Sequence, residues 1–405
     1  MALISPNPFS KQIPITMIEP FAVVALSPRT FTVEKREDAL KNVKRICQFM
    51  DTAVMVGAWQ GAPVRLVVIP EMAIQGMVLN TPGNRAAEAK FAVEIPGPET
   101  EELGRKAKQI NAYIAAELYM VRDDDFPDRY YNVGFIISPT GEVIYKRYKA
   151  TSDAYEGGML GNSNPHDVWD EWIQKKGNGN VMDAIFPVAR TEIGNIGICI
   201  CHEGIYPEIA RGLAMNGAEI IIRPTLIEPA VMTGLWELQN RAHAVFNQVY
   251  VVAPNLGPEI QKDGGVVDLF GGRSMIVDNM GRIVAQQTGW TSGDSFVTTT
   301  IDMEALRKAR MANGLLNQFK DLRTEQYAAI YAQPIYPKNQ YLKEAPKEGW
   351  LAREEATRAK NIQELVRRGV FTPPDRGSVP GIEREKVDVQ EREKATAQER
   401  QKVSA

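Results

Sequence analysis

Cys201 ends the apolar run Ile198-Cys199-Ile200-Cys201 and is followed by His202-Glu203-Gly204-Ile205-Tyr206-Pro207-Glu208, where a proline is placed to open a helix. The run is too short for a buried helix and reads as a strand. A side chain at the carboxyl end of a strand projects into the crevice where open α/β sheets bind ligands, a placement that suits a nucleophile. A thiol with a pKa near ~8.5 is largely protonated at neutral pH and needs a base or a cation beside it. Glu71 and Lys149 supply both types. Each follows an apolar segment, Val64 to Ile69-Pro70 for the glutamate and the hairpin strand Glu142 to Tyr148 for the lysine, where an unpaired charge is expensive to hold.

The remaining elements must bring these three positions together. Strands are expected at Phe21 to Leu26, Val64 to Ile69, Ala112 to Tyr119, Val133 to Ser138 and Glu142 to Tyr148, the last two flanking the turn Pro139-Thr140-Gly141. Helices are expected at Val33 to Met50, after a Thr32 cap, and at Thr100 to Ile110. Leu40, Val43, Cys47 and Met50 fall on one helical face, which makes Cys47 a core residue. The second half repeats the order: strand Ile193 to Ile200, helix Pro207 to Asn216, strand Glu219 to Arg223, helix Leu235 to Phe246, strand Val249 to Ala253, and a hairpin around Asn279-Met280-Gly281. Two similar halves of this kind suggest two mixed sheets facing one another with helices outside, a four-layer α-β-β-α sandwich. Cys199, two residues before Cys201, is expected on the same strand face one step deeper, as a packing residue.

Thr151 to Asn180 is rich in Gly and Asn but holds Trp169 and Trp172, so it is expected to be a structured excursion able to act as a lid. Residues 1–335 are expected to form the main domain and 336–374 a partly helical extension, with an exposed helix over Glu354 to Arg368. Asp375 to Ala405 is nearly free of large apolar residues and alternates charges, as expected of a tail that is disordered or ordered only against a partner subunit.

The 405 residues, 44% of them hydrophobic, can bury a large core. The formal net charge of −3 and the absence of a basic stretch interleaved with aromatics argue against nucleic acid as a partner. No segment has the apolar length of a membrane span, and Met1 to Pro20 lacks the pattern of a signal peptide, so a cytoplasmic location is expected by default. Three cysteines make no disulfide framework.

Three motifs in order resemble the nitrilase superfamily, the carbon-nitrogen hydrolases with a Glu-Lys-Cys triad: Val68-Ile69-Pro70-Glu71-Met72-Ala73-Ile74-Gln75-Gly76, Gly141-Glu142-Val143-Ile144-Tyr145-Lys146-Arg147-Tyr148-Lys149 and Cys201-His202-Glu203-Gly204-Ile205-Tyr206-Pro207-Glu208. Ile95-Pro96-Gly97-Pro98, Tyr131-Asn132 and Phe270-Gly271-Gly272-Arg273-Ser274 match as well. The resemblance spans Phe21 to Asp302 and implies Cys201 as nucleophile, Glu71 as general base and acid, and Lys149, with the backbone NH of His202, as oxyanion stabiliser. It also implies Glu156, in Tyr155-Glu156-Gly157-Gly158, as a residue that positions the substrate. The cysteine motif resembles the Cys-acid-acid-Gly-x-Tyr-Pro-Glu pattern of the aliphatic amidases and formamidases, and Arg223 resembles theirs, with His202 in place of an acidic residue and Pro224-Thr225-Leu226-Ile227-Glu228-Pro229 in place of a polar and aromatic loop. The implied reaction is hydrolysis of a small amide to ammonia and a carboxylic acid through a cysteine thioester, without cofactor or metal. N-carbamoyl amides and nitriles are the alternative substrates. Arg223, Thr225 and Tyr155 are candidate substrate-binding side chains, Arg223 being read either as a ligand for a substrate carboxylate or as the partner of an internal acid, with the structural role preferred. A homo-oligomer, a dimer or a multiple of dimers, is expected by analogy.

Two rival readings come from other classes. A metal site at Cys199-x-Cys201-His202 lacks a second ligand pair at usual spacing. A non-catalytic assembly or binding protein that kept the fold would explain the charged tail, but not the complete set of triad residue types.

Overall fold

In the computed structural model, which describes residues 17–76, 89–151, 163–226, 234–261, 263–267, 272–287, 293–315, 317–345 and 350–374, strand β1 (Phe21–Ser27) is buried along its whole length. An unbroken apolar strand needs cover on both faces, and β1 has it. Phe21, Val23 and Ala25 join a core between two sheets, while Ala22, Val24 and Leu26 join a core under the helix Asp38–Ala58.

The same two-sided burial recurs in the inner strands of the first sheet, whose strand order is β15-β1-β3-β4-β5-β6, with β3 at Val64–Val68, β4 at Tyr113–Arg122, β5 at Tyr130–Ile137, β6 at Val143–Tyr148 and β15 at Ser295–Ile301. The second sheet runs β14-β13-β10-β9-β8-β7, with β7 at Ala189–Thr191, β8 at Gly194–Ile198, β9 at Ile220–Ile222, β10 at Tyr250–Ala253, β13 at Met275–Val277 and β14 at Ile283–Gln286. Each sheet has three parallel strands at its heart, β1-β3-β4 and β8-β9-β10, extended by an antiparallel pair. Each half of the chain therefore contributes one sheet, except that β15 returns to pair antiparallel with β1. Helices Asp38–Ala58 and Pro98–Ile110 cover the first sheet, and Pro207–Met215 and Leu235–Asn247 the second. This is the four-layer α-β-β-α sandwich.

The sheets approach closely at Gly134 of β5, where a Cβ would lie 2.8 Å from Ile198 Cγ2 of β8. A third, small sheet of β2 (Thr30–Phe31), β11 (Glu259–Ile260) and β12 (Val266–Val267) explains one difference from the expected elements. The first helix starts at Asp38 rather than Val33, because β2 pairs with β11 and keeps the preceding chain extended. Thr32 is consequently no cap: its hydroxyl donates to Glu259 Oε1 at 2.8 Å.

The excursion between the halves is structured over its described part, with a 3₁₀ turn at Pro165–Val168 and a helix at Trp169–Gly177. Trp172 is buried, stacked on Phe126 with ring centroids 5.2 Å apart, and its Nε1 donates to the Ala184 carbonyl. Residues 152–162 of the Thr151 to Asn180 excursion, which was expected as a whole to be able to act as a lid, lie outside the described residues, as does the tail from Asp375.

The sandwich belongs to a large compact unit that runs to Glu325 and also takes in the segment beginning at Lys338. A small unit holds Gln326–Pro337 and the helix Trp350–Arg367, within which Arg358 pairs with Glu354 at 3.1 Å and Arg368 donates to the Pro334 carbonyl. Among the described residues, no helix is long and apolar enough to cross a membrane.

Candidate active site

Alternation along β6 selects which of its charges enter the protein. Side chains two apart share a face, so Tyr145, Arg147 and Lys149 point together into the space between the sheets, while Ile144 on the other face is exposed. All three inward residues are buried. Lys149 is held at the strand end by its backbone NH, which donates to the Asn132 carbonyl at 2.8 Å, and its Nζ reaches Glu71 Oε1 at 3.0 Å. Glu71 and Lys149 are 3% and 2% exposed, so the ion pair is buried on both sides.

Glu71 lies in the turn after β3. The next residue, Met72, takes a positive φ of 59° and donates its NH to Glu117 Oε2 at 2.9 Å, which fixes the turn from β4. The Glu71 carboxylate accepts two further hydrogen bonds, from Asn132 Nδ2 at 2.9 Å and from the Leu226 NH at 3.2 Å. Leu226 also links this pair to the sulfur, because its carbonyl accepts from Cys201 Sγ at 3.4 Å. One residue of the β9 loop therefore touches both the carboxylate and the thiol.

Cys201 begins a 3₁₀ turn, Cys201–Ile205, that leads into the helix starting at Pro207. Its φ of 47° lies in the left-handed region, which is strained for a residue with a Cβ and is a recurrent signature of functional turns. The conformation also breaks the strand alternation. Cys199 packs in the helix-side core, whereas Cys201 joins the inter-sheet core with Ile198 and Ile200. The expectation that both cysteines share a face is thus corrected, and the reason is the reversal of the backbone at Cys201. It also separates the two thiols that the metal-site reading required to converge. Burial pushes the thiols of Cys47 and Cys199 up to about 12, which keeps them protonated and inert.

A second buried ion pair was not singled out from the sequence. Arg147 forks onto Glu203, its Nη1 donating to Oε2 and its Nη2 to Oε1 at 2.9 Å. Glu203 also accepts the NH of Ala150 at 2.7 Å and that of Ile200 at 2.8 Å. Those two residues are the chain neighbours of Lys149 and Cys201. A single carboxylate thus holds the lysine strand of one sheet against the cysteine turn of the other. The available signal was the period of two that puts Arg147 on the face of Lys149, and the place of Glu203 two residues after Cys201. Glu117 and Asn132 are the other polar supports, and of these only Asn132 stood within a recognised motif.

The remaining candidates are distributed differently. Arg223 is 0% exposed and lies beneath the cysteine turn, with Nε donating to the Cys201 carbonyl at 3.1 Å, Nη1 to Asn240 Oδ1 at 3.2 Å and Nη2 to Gln239 Oε1 at 2.8 Å. Among the described residues no carboxylate forms an ion pair with it. Thr225 is buried, and its hydroxyl donates to the Arg223 carbonyl at 2.9 Å. The His202 ring stands edge-on to Tyr206 at 5.9 Å. Tyr155 and Glu156 lie outside the described residues.

Residues 21–311 match the family model described as carbon-nitrogen hydrolase. A formamidase of Bacillus cereus (strain Q1) is 30% identical over 300 residues, which cover 73% of this chain and 78% of that protein. Among solved structures, a carbon-nitrogen hydrolase from Helicobacter pylori G27 superposes with a TM-score of 0.60 at 18% identity, covering 78% of this chain and 99% of the other. Saccharomyces cerevisiae Nit3, a member of branch 10 of the nitrilase superfamily, gives a TM-score of 0.57 at 21% identity, covering 75% and 98% of the two chains. The chain is a member of the carbon-nitrogen hydrolase family.

Proposed function

We propose that this hydrolase cleaves the carbon–nitrogen bond of a small amide, releasing ammonia and a carboxylic acid through a thioester on Cys201. The observation that carries the reading is the buried Glu71–Lys149 pair joined through the Leu226 backbone to the Cys201 sulfur. Glu71 takes the thiol proton and Cys201 attacks the amide carbon. Lys149 and the His202 NH face the negative charge that develops on the amide oxygen. Glu71 returns its proton to the leaving nitrogen, which departs as ammonia, and then deprotonates the water that opens the thioester, giving the acid and the free thiol. Glu156 is assigned the positioning of the substrate amide. The 30% identical formamidase supports an amide rather than a nitrile. The engagement of every Arg223 nitrogen within the protein weighs against an N-carbamoyl acid whose carboxylate that residue would bind.

Mass spectrometry after exposure to formamide, acetamide, small nitriles and N-carbamoyl compounds tests this, with a Glu71 variant included to retain the acyl group. An acyl adduct confined to Cys201, with ammonia released from the amides, is expected. An adduct on Cys47 or Cys199, or ammonia release from none of the amides, overturns the reading. Lys149→Ala should remain folded by circular dichroism yet lose ~10²- to 10³-fold in turnover, the usual cost of one oxyanion donor. Turnover retained by that variant would refute the role given to Lys149.

A further inference from the structure

Two ion pairs lie between the sheets beside Cys201, Glu71 with Lys149 and Glu203 with Arg147. Arg223, on the other side of the cysteine turn, has no ion pair with a carboxylate among the described residues. Its hydrogen-bond partners are the Cys201 carbonyl and the two side-chain amides of the helix Leu235–Asn247, and its guanidinium lies over the Trp236 ring at 4.9 Å. His243, an ionisable neighbour on that helix, adds no negative charge. Its Nε2 sits 2.7 Å from the Gly204 carbonyl, and burial followed by the nearby Arg223 pulls its pKa down to about 4, so it is neutral at physiological pH. Guanidinium groups stay protonated in proteins, so a full positive charge is kept in a dry layer directly behind the cysteine turn. Burial lowers the pKa of Arg223, while Cys199, Cys201 and Glu71 raise it, which makes their anionic forms the charges that this cation favours. Of these, Cys199 is held protonated by its own burial and Glu71 is committed to Lys149.

The turn is built to accept the guanidinium. A Cβ on Gly204 would lie 2.1 Å from Arg223 Cζ, so glycine is required for the cation to lie this close beneath the residues that follow the thiol. The contact to the Cys201 carbonyl also holds the one residue of the turn with a left-handed backbone.

We propose that Arg223 is a positioning residue that fixes the Cys201 turn and, as a buried cation directly behind it, favours the thiolate form of Cys201. The proposal rests on the reading of Cys201 as the nucleophile, and its test does not require turnover. The rate of alkylation by iodoacetamide is measured against pH, with the adduct located on Cys201 by peptide mass analysis. Arg223→Gln, which keeps hydrogen bonding and removes the charge, is expected to move the midpoint up by about one pH unit, an approximately tenfold loss of thiolate below the midpoint. Arg223→Lys keeps the charge and should stay near the parent midpoint even if turnover suffers from the lost fork. Gln239→Glu leaves the guanidinium in place and sets a carboxylate against its Nη2, so it too should raise the midpoint. That second variant alters only a half-buried side chain and decides the matter if Arg223→Gln does not fold. Midpoints unmoved in both charge-cancelling variants would reduce Arg223 to a packing residue and overturn the proposal. With amide hydrolysis measured in parallel, unmoved midpoints alongside intact turnover sink this inference alone. Shifted midpoints in a protein that hydrolyses no amide leave it standing while the proposed function falls.

Discussion

Glu203→Ala is expected to lower the stability of the fold by about 3–5 kcal/mol, the range seen when one partner of a buried ion pair is removed, and to silence turnover with it. The variant strands the Arg147 guanidinium between two sheets and orphans the NH groups of Ala150 and Ile200. A loss of that size is a large fraction of the ~5–15 kcal/mol that holds a typical domain together, so denaturant midpoints measure it directly. The double variant Arg147→Met/Glu203→Leu separates the two roles of the carboxylate. Replacing both ions with apolar groups removes the desolvation cost and should return much of the stability, because a buried pair is often no better than a well-packed hydrophobic one. It cannot return the two acceptors that hold the neighbours of Lys149 and Cys201, so turnover should stay low in a stable protein. A single variant that loses less than about 1 kcal/mol would show that the clamp bears little of the load assigned to it, since a pair at the surface is worth no more.

The contrast between Glu203 and Cys201 shows what was legible in the sequence. Cys201, Glu71 and Lys149 announce themselves by ending apolar runs, and strand ends are set by local patterning that a single sequence carries. The layered fold was legible for the same reason: β9 and β1 up to Leu26 are apolar without a break and need cover on both faces. Glu203 and Arg147 look like ordinary charges, one in a turn and one on a hairpin strand. Their meaning lies in a contact between two halves of the chain, and no local pattern encodes which face of one sheet meets which turn of the other. Arg223 was legible in position but not in its contacts. It was read as a ligand for a substrate carboxylate or, preferably, as a structural residue, and no local pattern shows that its hydrogen bonds go to a carbonyl and two amides. The reversal at Cys201 was hidden as well, because strand periodicity assumes extended backbone up to the residue where φ changes sign.

Glu71→Gln should reduce turnover by ~10²- to 10⁴-fold, the usual contribution of a general acid and base, with the protein accumulating in its acylated form where acylation still occurs. Three donors converge on the carboxylate: Lys149 and Asn132 on Oε1, and the Leu226 NH on Oε2. An amide oxygen can serve the first two, but its nitrogen then faces the Leu226 NH, donor against donor. Since the Leu226 carbonyl holds the Cys201 sulfur, the substitution also disturbs the thiol. The loss of charge has a second effect with a definite sign. Lys149 loses the negative charge 3.0 Å from its Nζ, and removing an adjacent anion favours the neutral amine, so its pKa must fall. If the residual reaction depends on the ammonium, it should fail at a lower pH on the alkaline side than the parent reaction does. Lys149→Arg in the same background should remove that alkaline limb, because a guanidinium does not titrate in this range. Comparing the pH–rate profiles of the two backgrounds therefore separates the base from the cation. An alkaline limb that stays in place would mean that Lys149 is not the group whose charge the reaction uses.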